Sequence, residues 1–192
     1  MSLEEHTNMT ARSQVATMTL RFLAISAVAL LVGCAGYSGA GLKPGIATVA
    51  DVETTMGDPA MVWKNKQGQI IQLAYPRGPA GYVSFMAYFN DAGKLEKIEQ
   101  VLDERHFAQL KAGMTQADVL RILGPYRDTN VFPARNELDW NYGYCSQNLQ
   151  RMAYSVMFDT QTDLVTGGQT NPDPLFPGGK MYAQPCIPWT GN

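Results

Sequence analysis

The chain has 192 residues, of which 45% are hydrophobic and 17% are charged, and its formal net charge is -2. This apolar content is sufficient for a sizeable core and is not typical of a disordered chain. The near-neutral charge, with no cluster of lysines and arginines, argues against a surface that follows nucleic-acid phosphates. We therefore expect no nucleic-acid partner.

The first predicted element is an apolar stretch over residues 22–32, which follows two arginines. A bilayer span takes roughly 20 apolar residues, so the stretch is too short to cross a membrane. It ends in Leu31-Val32-Gly33-Cys34, a run that resembles the lipobox of bacterial lipoproteins. This resemblance implies a lipoprotein signal peptide at 1–33, with cleavage before Cys34 and lipid on that cysteine. The alternative is a buried core helix that ends at a chance cysteine.

Residues 34–41 are predicted to form a lipidated tether. A flexible segment of this length reaches only about 15 Å on average, so we expect the folded part to lie close to the membrane. Several acyl chains would make attachment to membrane lipid effectively permanent. Ala35 follows the cysteine, which resembles the sorting signal for the outer membrane. The expected location is therefore the periplasmic face of the outer membrane.

The two remaining cysteines, Cys145 and Cys186, form an even pair once Cys34 carries lipid. In an oxidising compartment such a pair predicts a disulfide. Two free buried thiols, or a reactive Cys145, are the competing interpretations.

The chain after the tether repeats itself. Leu42-Lys43-Pro44-Gly45-Ile46 is echoed by Leu110-Lys111-Ala112-Gly113-Met114. In each copy a threonine followed three residues later by an aspartate has capping-box spacing and predicts a helix start. Each helix is predicted to end at a glycine, Gly57 or Gly124, and to bury one apolar stripe. The predicted caps are Thr48 with Asp51, and Thr115 with Asp118.

Alternation of apolar residues with period two follows each helix and predicts an antiparallel meander. In the first copy, the residues that share one face of a strand are Ile71, Leu73 and Tyr75, then Val83, Phe85, Ala87 and Phe89, with a further strand at 95–101. In the second copy, the alternating residues are Leu138, Trp140, Tyr142 and Tyr144, then Tyr154, Val156 and Phe158, with a last strand near Leu164-Val165.

These elements predict an α+β fold of two tandem modules, at 42–102 and 103–166, each with short helices packed on a meander. Asp103 is expected to cap a short helix that joins them. Domains of about 60 residues are marginally stable alone, so the modules are expected to share an interface. Residues 167–192 are predicted to be an irregular tail, because prolines disfavour regular strand pairing.

The segment 110–125 resembles the opening of the SmpA/OmlA (BamE-like) lipoprotein domain, with its Gly-Met-Thr, Val and Leu-Gly-Pro positions. Trp140 and Tyr142 resemble the aromatic strand that follows in that family, and the first copy carries a fainter version of the pattern. The resemblance implies helices on a three-stranded antiparallel sheet, similar to the β-lactamase-inhibitor-protein (BLIP) domain. It also implies an outer-membrane lipoprotein that helps to assemble β-barrel proteins. The tandem copies depart from the family, so a paralogue with another partner is equally compatible.

Catalysis is not expected. His106 is the only histidine after the leader and lies in a polar run typical of a solvated helix face, although a Cys145/His106 pair is conceivable. Asp51 and Asp118 are better explained as caps than as catalytic carboxylates. The sequence indicates no metal site and no cofactor.

The expected function is that of a non-catalytic adaptor that binds an envelope protein, for example in β-barrel assembly. Its candidate interaction surface consists of Trp63, Trp140, Tyr142 and Tyr144, although aromatic strands are more often half buried. The alternative function is a periplasmic binding or inhibitor module of the BLIP-like type, or a ligand sensor of envelope stress. A deep pocket with convergent polar groups favours the alternative, and exposed flat aromatics favour the adaptor.

Overall fold

The computed structural model describes residues 38–78, 82–175 and Cys186. These residues belong to one compact unit, Ser38–Asn192. The predicted signal peptide, Cys34, and the tail residues other than Cys186 beyond position 175 lie outside the described part. Within the described part, no helix is long and apolar enough to span a membrane.

The chain forms two four-stranded antiparallel sheets with a few short helices, an α+β arrangement of two similar modules. The first module has helix α1 and sheet 1, in the order β1-β2-β3-β4, and the second has helices α2 and α3 and sheet 2, in the order β5-β6-β7-β8. The first-module elements are α1 (Val49–Met56), β1 (Met61–Lys64), β2 (Ile70–Pro76), β3 (Ser84–Phe89) and β4 (Leu95–Gln100). The others are α2 (Glu104–Phe107), α3 (Gln116–Leu123), β5 (Asp128–Phe132), a 3₁₀ turn (Pro133–Arg135), β6 (Glu137–Cys145), β7 (Arg151–Asp159) and β8 (Val165–Pro172).

Both predicted capping boxes are confirmed. Thr48 accepts from the Asp51 backbone N–H and Asp51 accepts from that of Thr48, and Thr115 and Asp118 repeat the arrangement. The hydrogen bonds from Thr115, backbone and side chain, hold the pKa of Asp118 below its usual value. Each helix ends at its predicted glycine. The caps satisfy backbone N–H groups that a helix leaves unpaired at its first turn.

Strands β1 and β5 were not predicted, and they make each sheet four-stranded where the family resemblance implies three. Each is a short edge strand, four residues in β1 and five in β5. Neither buries one complete face, so neither carries the alternation of apolar residues that identifies a half-buried strand.

The predicted irregular tail is wrong at its start, because β8 continues as a regular strand from Val165 to Pro172. It pairs with β7 as far as Met152↔Pro172. Pro172 lacks a backbone N–H, but it stands at the end of an edge strand, where no neighbouring strand requires that donor.

The modules share a core, as expected. Helix α1 packs on one face of sheet 1, and the residues of this first cluster include Val52, Met56, Leu73, Phe85 and Phe89. Helix α3 lies between the other face of sheet 1 and sheet 2. Its residues Val119 and Leu123 are fully buried in a second cluster that contains side chains from both sheets. The second module therefore supplies the helix that covers the first module's sheet.

Candidate functional site

The aromatic residues predicted as an interaction surface lie in the core, so that prediction is wrong. Trp140, Tyr142 and Tyr144 are all at least 95% buried, and Trp63 is half-buried against the same cluster. The Tyr142 hydroxyl donates to the Gly124 carbonyl oxygen at 3.2 Å, and the Tyr144 ring packs edge-on against Phe107 at 4.8 Å. The side chains on this face of β6 are inward-facing because α2 and α3 cover it.

The conceivable Cys145/His106 pair does not form. The Cys145 and Cys186 sulfurs are bonded, as predicted, with their Cα atoms 5.7 Å apart. His106 is buried, contrary to the solvated face expected for it, and its Nδ1 lies 2.7 Å from Asp103 Oδ1. Asp103 also accepts from the His106 backbone N–H as the predicted cap of α2. The histidine is thus held by the residue that caps its own helix.

The two sheets can be aligned residue by residue. In both, a register shift precedes the last phenylalanine of the third strand, Phe89 in β3 and Phe158 in β7. The residues that immediately precede these phenylalanines, Tyr88 and Met157, are therefore equivalent. Their cross-strand partners, Gln72 in β2 and Asp139 in β6, are therefore also equivalent.

The face of sheet 1 that carries Gln72 is a seat for helix α3. The Gln72 side-chain amide donates to the Arg121 carbonyl oxygen at 2.8 Å, near the end of the helix. The Arg121 guanidinium lies over the Trp63 ring, 5.8 Å from its centroid. Apolar side chains form the rest of the seat: Met61, Ala74, Met86 and Tyr88.

The equivalent face of sheet 2 carries no helix of the described chain and forms a polar groove with a volume of about 320 Å³. The register of the strands makes four polar residues of sheet 2 equivalent to apolar residues of the helix seat. Asn130 corresponds to Trp63, Asp128 to Met61, Asn141 to Ala74 and Ser155 to Met86. The apolar seat has thus been replaced by amides, hydroxyls and carboxyls. The groove is lined by Asn130, Phe132, Arg135, Glu137, Asp139, Asn141, Ala153, Ser155, Met157, Gln169, Asn171, Pro172 and Pro174.

Asp139 is the unusual residue of the groove. It is 91% buried, and its Oδ1 has no hydrogen-bond partner among the described residues. Burial raises the pKa of the Asp139 carboxyl, and the neighbouring Glu137 carboxylate raises it further. Leaving a buried acceptor unpaired costs about 1–3 kcal/mol, so such a group requires an explanation.

The floor of the groove is held by a chain of hydrogen bonds. The Ser155 hydroxyl donates to Asn141 Oδ1 at 2.7 Å, and Asn141 Nδ2 donates to Asp128 Oδ1 at 2.6 Å. Arg127 Nε in turn donates to Asp128 Oδ2 at 2.7 Å. These bonds fix the orientation of the Asn141 amide before any ligand arrives.

A buried ion pair continues this chain of hydrogen bonds. Arg127 donates to both carboxylate oxygens of Asp173, at 2.7 and 3.1 Å, and the Tyr82 hydroxyl of the first module donates to Asp173 at 2.9 Å. A Cβ atom at Gly143 would lie 2.5 Å from Arg127 Nη1, so glycine leaves the space that the guanidinium occupies. The groove floor is thereby tied to the junction between the modules.

Sequence reasoning missed the groove residues, although a signal was present. Polar residues occupy every second position at the start of β6, at Glu137, Asp139 and Asn141, alternating with the aromatic residues that drew attention. Alignment with the first copy places Asn141 at the position of the apolar Ala74. A polar side chain at the position of a buried apolar residue indicates either an exposed face or a site.

No group of three or more histidine, cysteine, aspartate or glutamate side chains suited to a metal ion occurs in residues 38–78 and 82–175 or at Cys186. The groove instead combines polar side chains of both hydrogen-bonding types with apolar walls. Its volume is at the lower end of the range of about 300–1,000 Å³ typical of small-molecule sites.

No protein-family model matches the chain, and no curated protein matches it. Among solved structures, it is similar to the DUF4309 family protein YjgB from Bacillus subtilis subsp. subtilis str. 168. The identity is 17% and the TM-score 0.27, and the match covers 70% of this chain and 84% of that chain. A likeness of this size carries no argument about function.

Proposed function

We propose that the protein is a non-catalytic binding module, lipid-anchored at Cys34 on the periplasmic face of the outer membrane, and that the groove of sheet 2 holds its ligand. The observation that carries the proposal is the position of the groove. It occupies the face that in the first module receives α3, and there Asp139 buries an acceptor without a partner. Unpaired buried groups lining a concave surface are typical of binding sites.

The envelope location rests on the sequence. The lipobox-like run at Cys34 supports an anchor, and a disulfide between Cys145 and Cys186 is in keeping with an oxidising compartment. The SmpA/OmlA (BamE-like) resemblance and a BLIP-like fold belong to the same proposal. Aromatic residues that are buried cannot form the surface of an adaptor, so the ligand-binding alternative is preferred.

An adaptor role remains the second candidate, and edge strand β5 is the observation that favours it. Four of its five residues are exposed, including Val131, whose exposed fraction is 61%. An unpaired strand edge can receive a strand from a partner protein. The partner would then be an envelope protein that extends sheet 2 beyond β5.

The experiment uses the full chain in mild detergent. Immobilised protein is incubated with the protein, saccharide and lipid fractions of a bacterial envelope, and the bound material is quantified. Asn130→Trp introduces the residue that sheet 1 has at the equivalent position, Trp63. Its side chain fills the groove, so the variant should reduce binding at least tenfold.

The matched control is Thr129→Trp. Thr129 is the neighbouring exposed residue of β5, but it pairs with Trp140 and therefore lies on the other face of the sheet. It should bind like the native chain. Equal binding by both variants and the native chain, or no bound fraction at all, contradicts the groove as the ligand site. Loss of a bound protein with Val131→Pro alone supports the adaptor role instead.

A further inference from the structure

We infer that the groove of sheet 2 takes an uncharged, hydroxyl-rich saccharide segment. The inference rests on the proposed function, because it names the ligand class of the same site. It is carried by the chemistry of the lining, by the direction of the hydrogen bonds in the floor, and by the comparison with the helix seat of sheet 1.

The polar lining is dominated by uncharged side chains that both donate and accept hydrogen bonds. Sugar hydroxyls have the same dual character, so each can pair with an amide or a hydroxyl in either direction. The uncharged polar residues are Asn130, Asn141, Ser155, Gln169 and Asn171.

The floor presents acceptors. The Ser155 hydroxyl already donates to Asn141, so its oxygen lone pairs are what it offers to a ligand. Gln169 Nε2 donates to Asn171 Oδ1 at 2.9 Å, which leaves the Gln169 carbonyl oxygen as an acceptor and the Asn171 side-chain N–H groups as donors. Asp139 contributes its carboxyl group. A ligand that fits this lining must both donate and accept hydrogen bonds.

The charges of the groove disfavour an anionic ligand. Glu137 and Asp139 stand two residues apart on the same face of β6. The guanidinium of Arg135 is committed to Glu137 Oε1, at 2.6 Å from Nη2 and 3.2 Å from Nε. It also lies 4.2 Å from the centroid of the Phe132 ring. The Glu137 carboxylate thus balances the charge of Arg135, whose side chain is 60% exposed, and a ligand carboxylate or phosphate would also meet the unpaired Asp139.

Apolar groups alternate with the polar ones. Phe132, Ala153, Met157, Pro172 and Pro174 also line the groove. The C–H faces of a sugar ring can pack on such side chains while its hydroxyls reach the amides. A small cation or a metal ion would leave this apolar surface without a partner.

Two protein occupants fit less well. An amphipathic helix requires the apolar seat of sheet 1, and four positions of that seat are polar here. An extended peptide gains its affinity from backbone hydrogen bonds at a sheet edge, whereas the groove lies on a sheet face and presents side chains.

The test titrates the full chain in detergent with four probes. These are a neutral tetrasaccharide of N-acetylglucosamine, a tetra-uronate, a lysine-containing peptide and a neutral peptide. Binding is followed by calorimetry and by the hydrogen exchange of β6 and β7. The neutral tetrasaccharide should bind best, and it should slow exchange in both strands.

Variants then locate the binding. Asn130→Trp and Ser155→Ala should each weaken saccharide binding about tenfold. The first variant fills part of the groove, and the second removes one hydrogen-bonding group. Thr129→Trp should leave it unchanged, and thermal unfolding establishes that each variant is folded. If Ser155→Ala is unfolded, Gln169→Ala tests the same floor from an exposed position on β8.

The outcomes separate the ligand class from the site. Groove-dependent binding of the uronate or of either peptide, without the neutral saccharide, overturns the inference and leaves the proposed function standing. Saccharide binding that all variants retain overturns both. Tetrasaccharide binding that Asn130→Trp removes and Thr129→Trp retains supports both.

Discussion

Arg127 and Asp173 form a two-point ion pair that joins the beginning of sheet 2 to its end. Arg127 immediately precedes β5, and Asp173 immediately follows β8, the opposite edge strand. The Asp173 side chain is fully buried and that of Arg127 is 9% exposed. Since Tyr82 donates to the same carboxylate, one aspartate connects both edges of the sheet with the first module.

Replacement of Asp173 by asparagine should destabilise the fold. The variant keeps the shape of the side chain but leaves the buried Arg127 guanidinium with Asp128 as its remaining acidic partner. Loss of one partner of a buried ion pair costs about 3–5 kcal/mol, and because Asp128 remains we expect about 3 kcal/mol. Urea unfolding at pH 7 measures the difference. Asp91→Asn in an exposed turn is the control and should change stability by less than about 0.5 kcal/mol.

The same variant should have a characteristic pH dependence. Burial alone would raise the pKa of Asp173, but the hydrogen bonds from Arg127, Leu175 and Tyr82 lower it below its usual value. Because the pKa of Asp173 is lower in the folded state, the ionised carboxylate stabilises the fold at pH values above the pKa of the unfolded state, about 3.9. This stabilisation is lost as the pH falls through the pKa of the folded state. The difference between native protein and Asp173→Asn should therefore shrink between about pH 5 and pH 2. A constant difference over that interval would contradict the ion pair.

The repeat supplies a matched pair of glycines for testing the interface between the modules. Gly57 and Gly124 both end a helix at positive φ, +85° and +76°. A Cβ atom at Gly57 has no neighbour within 4 Å, but at Gly124 it would lie 3.0 Å from Met86 Cε and 3.3 Å from Ser84 Oγ. Alanine at either site pays about 1–3 kcal/mol for the backbone conformation. Gly124→Ala should cost about 1 kcal/mol more, the lower end of the range for overpacking, because the ends of the Met86 and Ser84 side chains must also shift.

Thermal or urea unfolding of both alanine variants measures that difference. Equal losses would mean that the Met86 and Ser84 side chains do not close around Gly124 as described. A larger loss for Gly57→Ala would contradict the assignment of its surroundings as open.

Local patterns in the sequence were sufficient for the helices and for most strands. Thr48 and Thr115 each bring their own aspartate three residues later, so the capping boxes depend on contacts within one turn. The central strands were recognised because apolar residues mark one face. The edge strands β1 and β5 were not predicted, because an edge strand with little buried surface does not require apolar residues at every second position.

The site could not be located in the same way. Whether Trp140 or Asn141 faces outward depends on which face of sheet 2 receives α2 and α3, and that is settled by packing between elements distant in sequence. Both faces of β6 are buried from Asp139 onward. Burial on both faces removes the simple rule that the apolar side is inside and the polar side is outside.

The disulfide should contribute substantially to stability. Cys145 and Cys186 are 41 residues apart in sequence. In the chain-entropy model, closing a loop of this length stabilises the folded state by about 4 kcal/mol. The double variant Cys145→Ser/Cys186→Ser should lose most of this in urea unfolding. After treatment of the native protein with a thiol-alkylating reagent, mass measurement should find both cysteines unmodified, because disulfide-bonded sulfur does not react. Alkylation of both cysteines would refute the pairing.

The lipid anchor predicts a change of location without a change of fold. Cys34→Ala removes the residue that would carry lipid, and it lies outside Ser38–Asn192, the compact unit that contains both sheets. The variant should appear in the soluble fraction with the unfolding midpoint of the native protein. Retention of Cys34→Ala on membranes after a carbonate wash would contradict attachment through this cysteine.

We expect the unpaired Asp139 carboxylate in the groove to lower the stability of the fold at neutral pH. Its folded pKa is raised above the unfolded value, so the folded state binds the proton more tightly, and stability falls as the pH rises from about 4. Asp139→Asn cannot ionise and should be more stable than the native chain at pH 7, by about 1 kcal/mol, the lower end of the cost of an unpaired buried acceptor. The advantage should disappear near pH 3, where the native carboxyl is protonated. Glu96→Gln on the exposed face of β4 is the control and should be neutral at both pH values. If Asp139→Asn is instead destabilising at pH 7, the carboxylate has a partner within the fold, and the groove is a structural surface rather than a site.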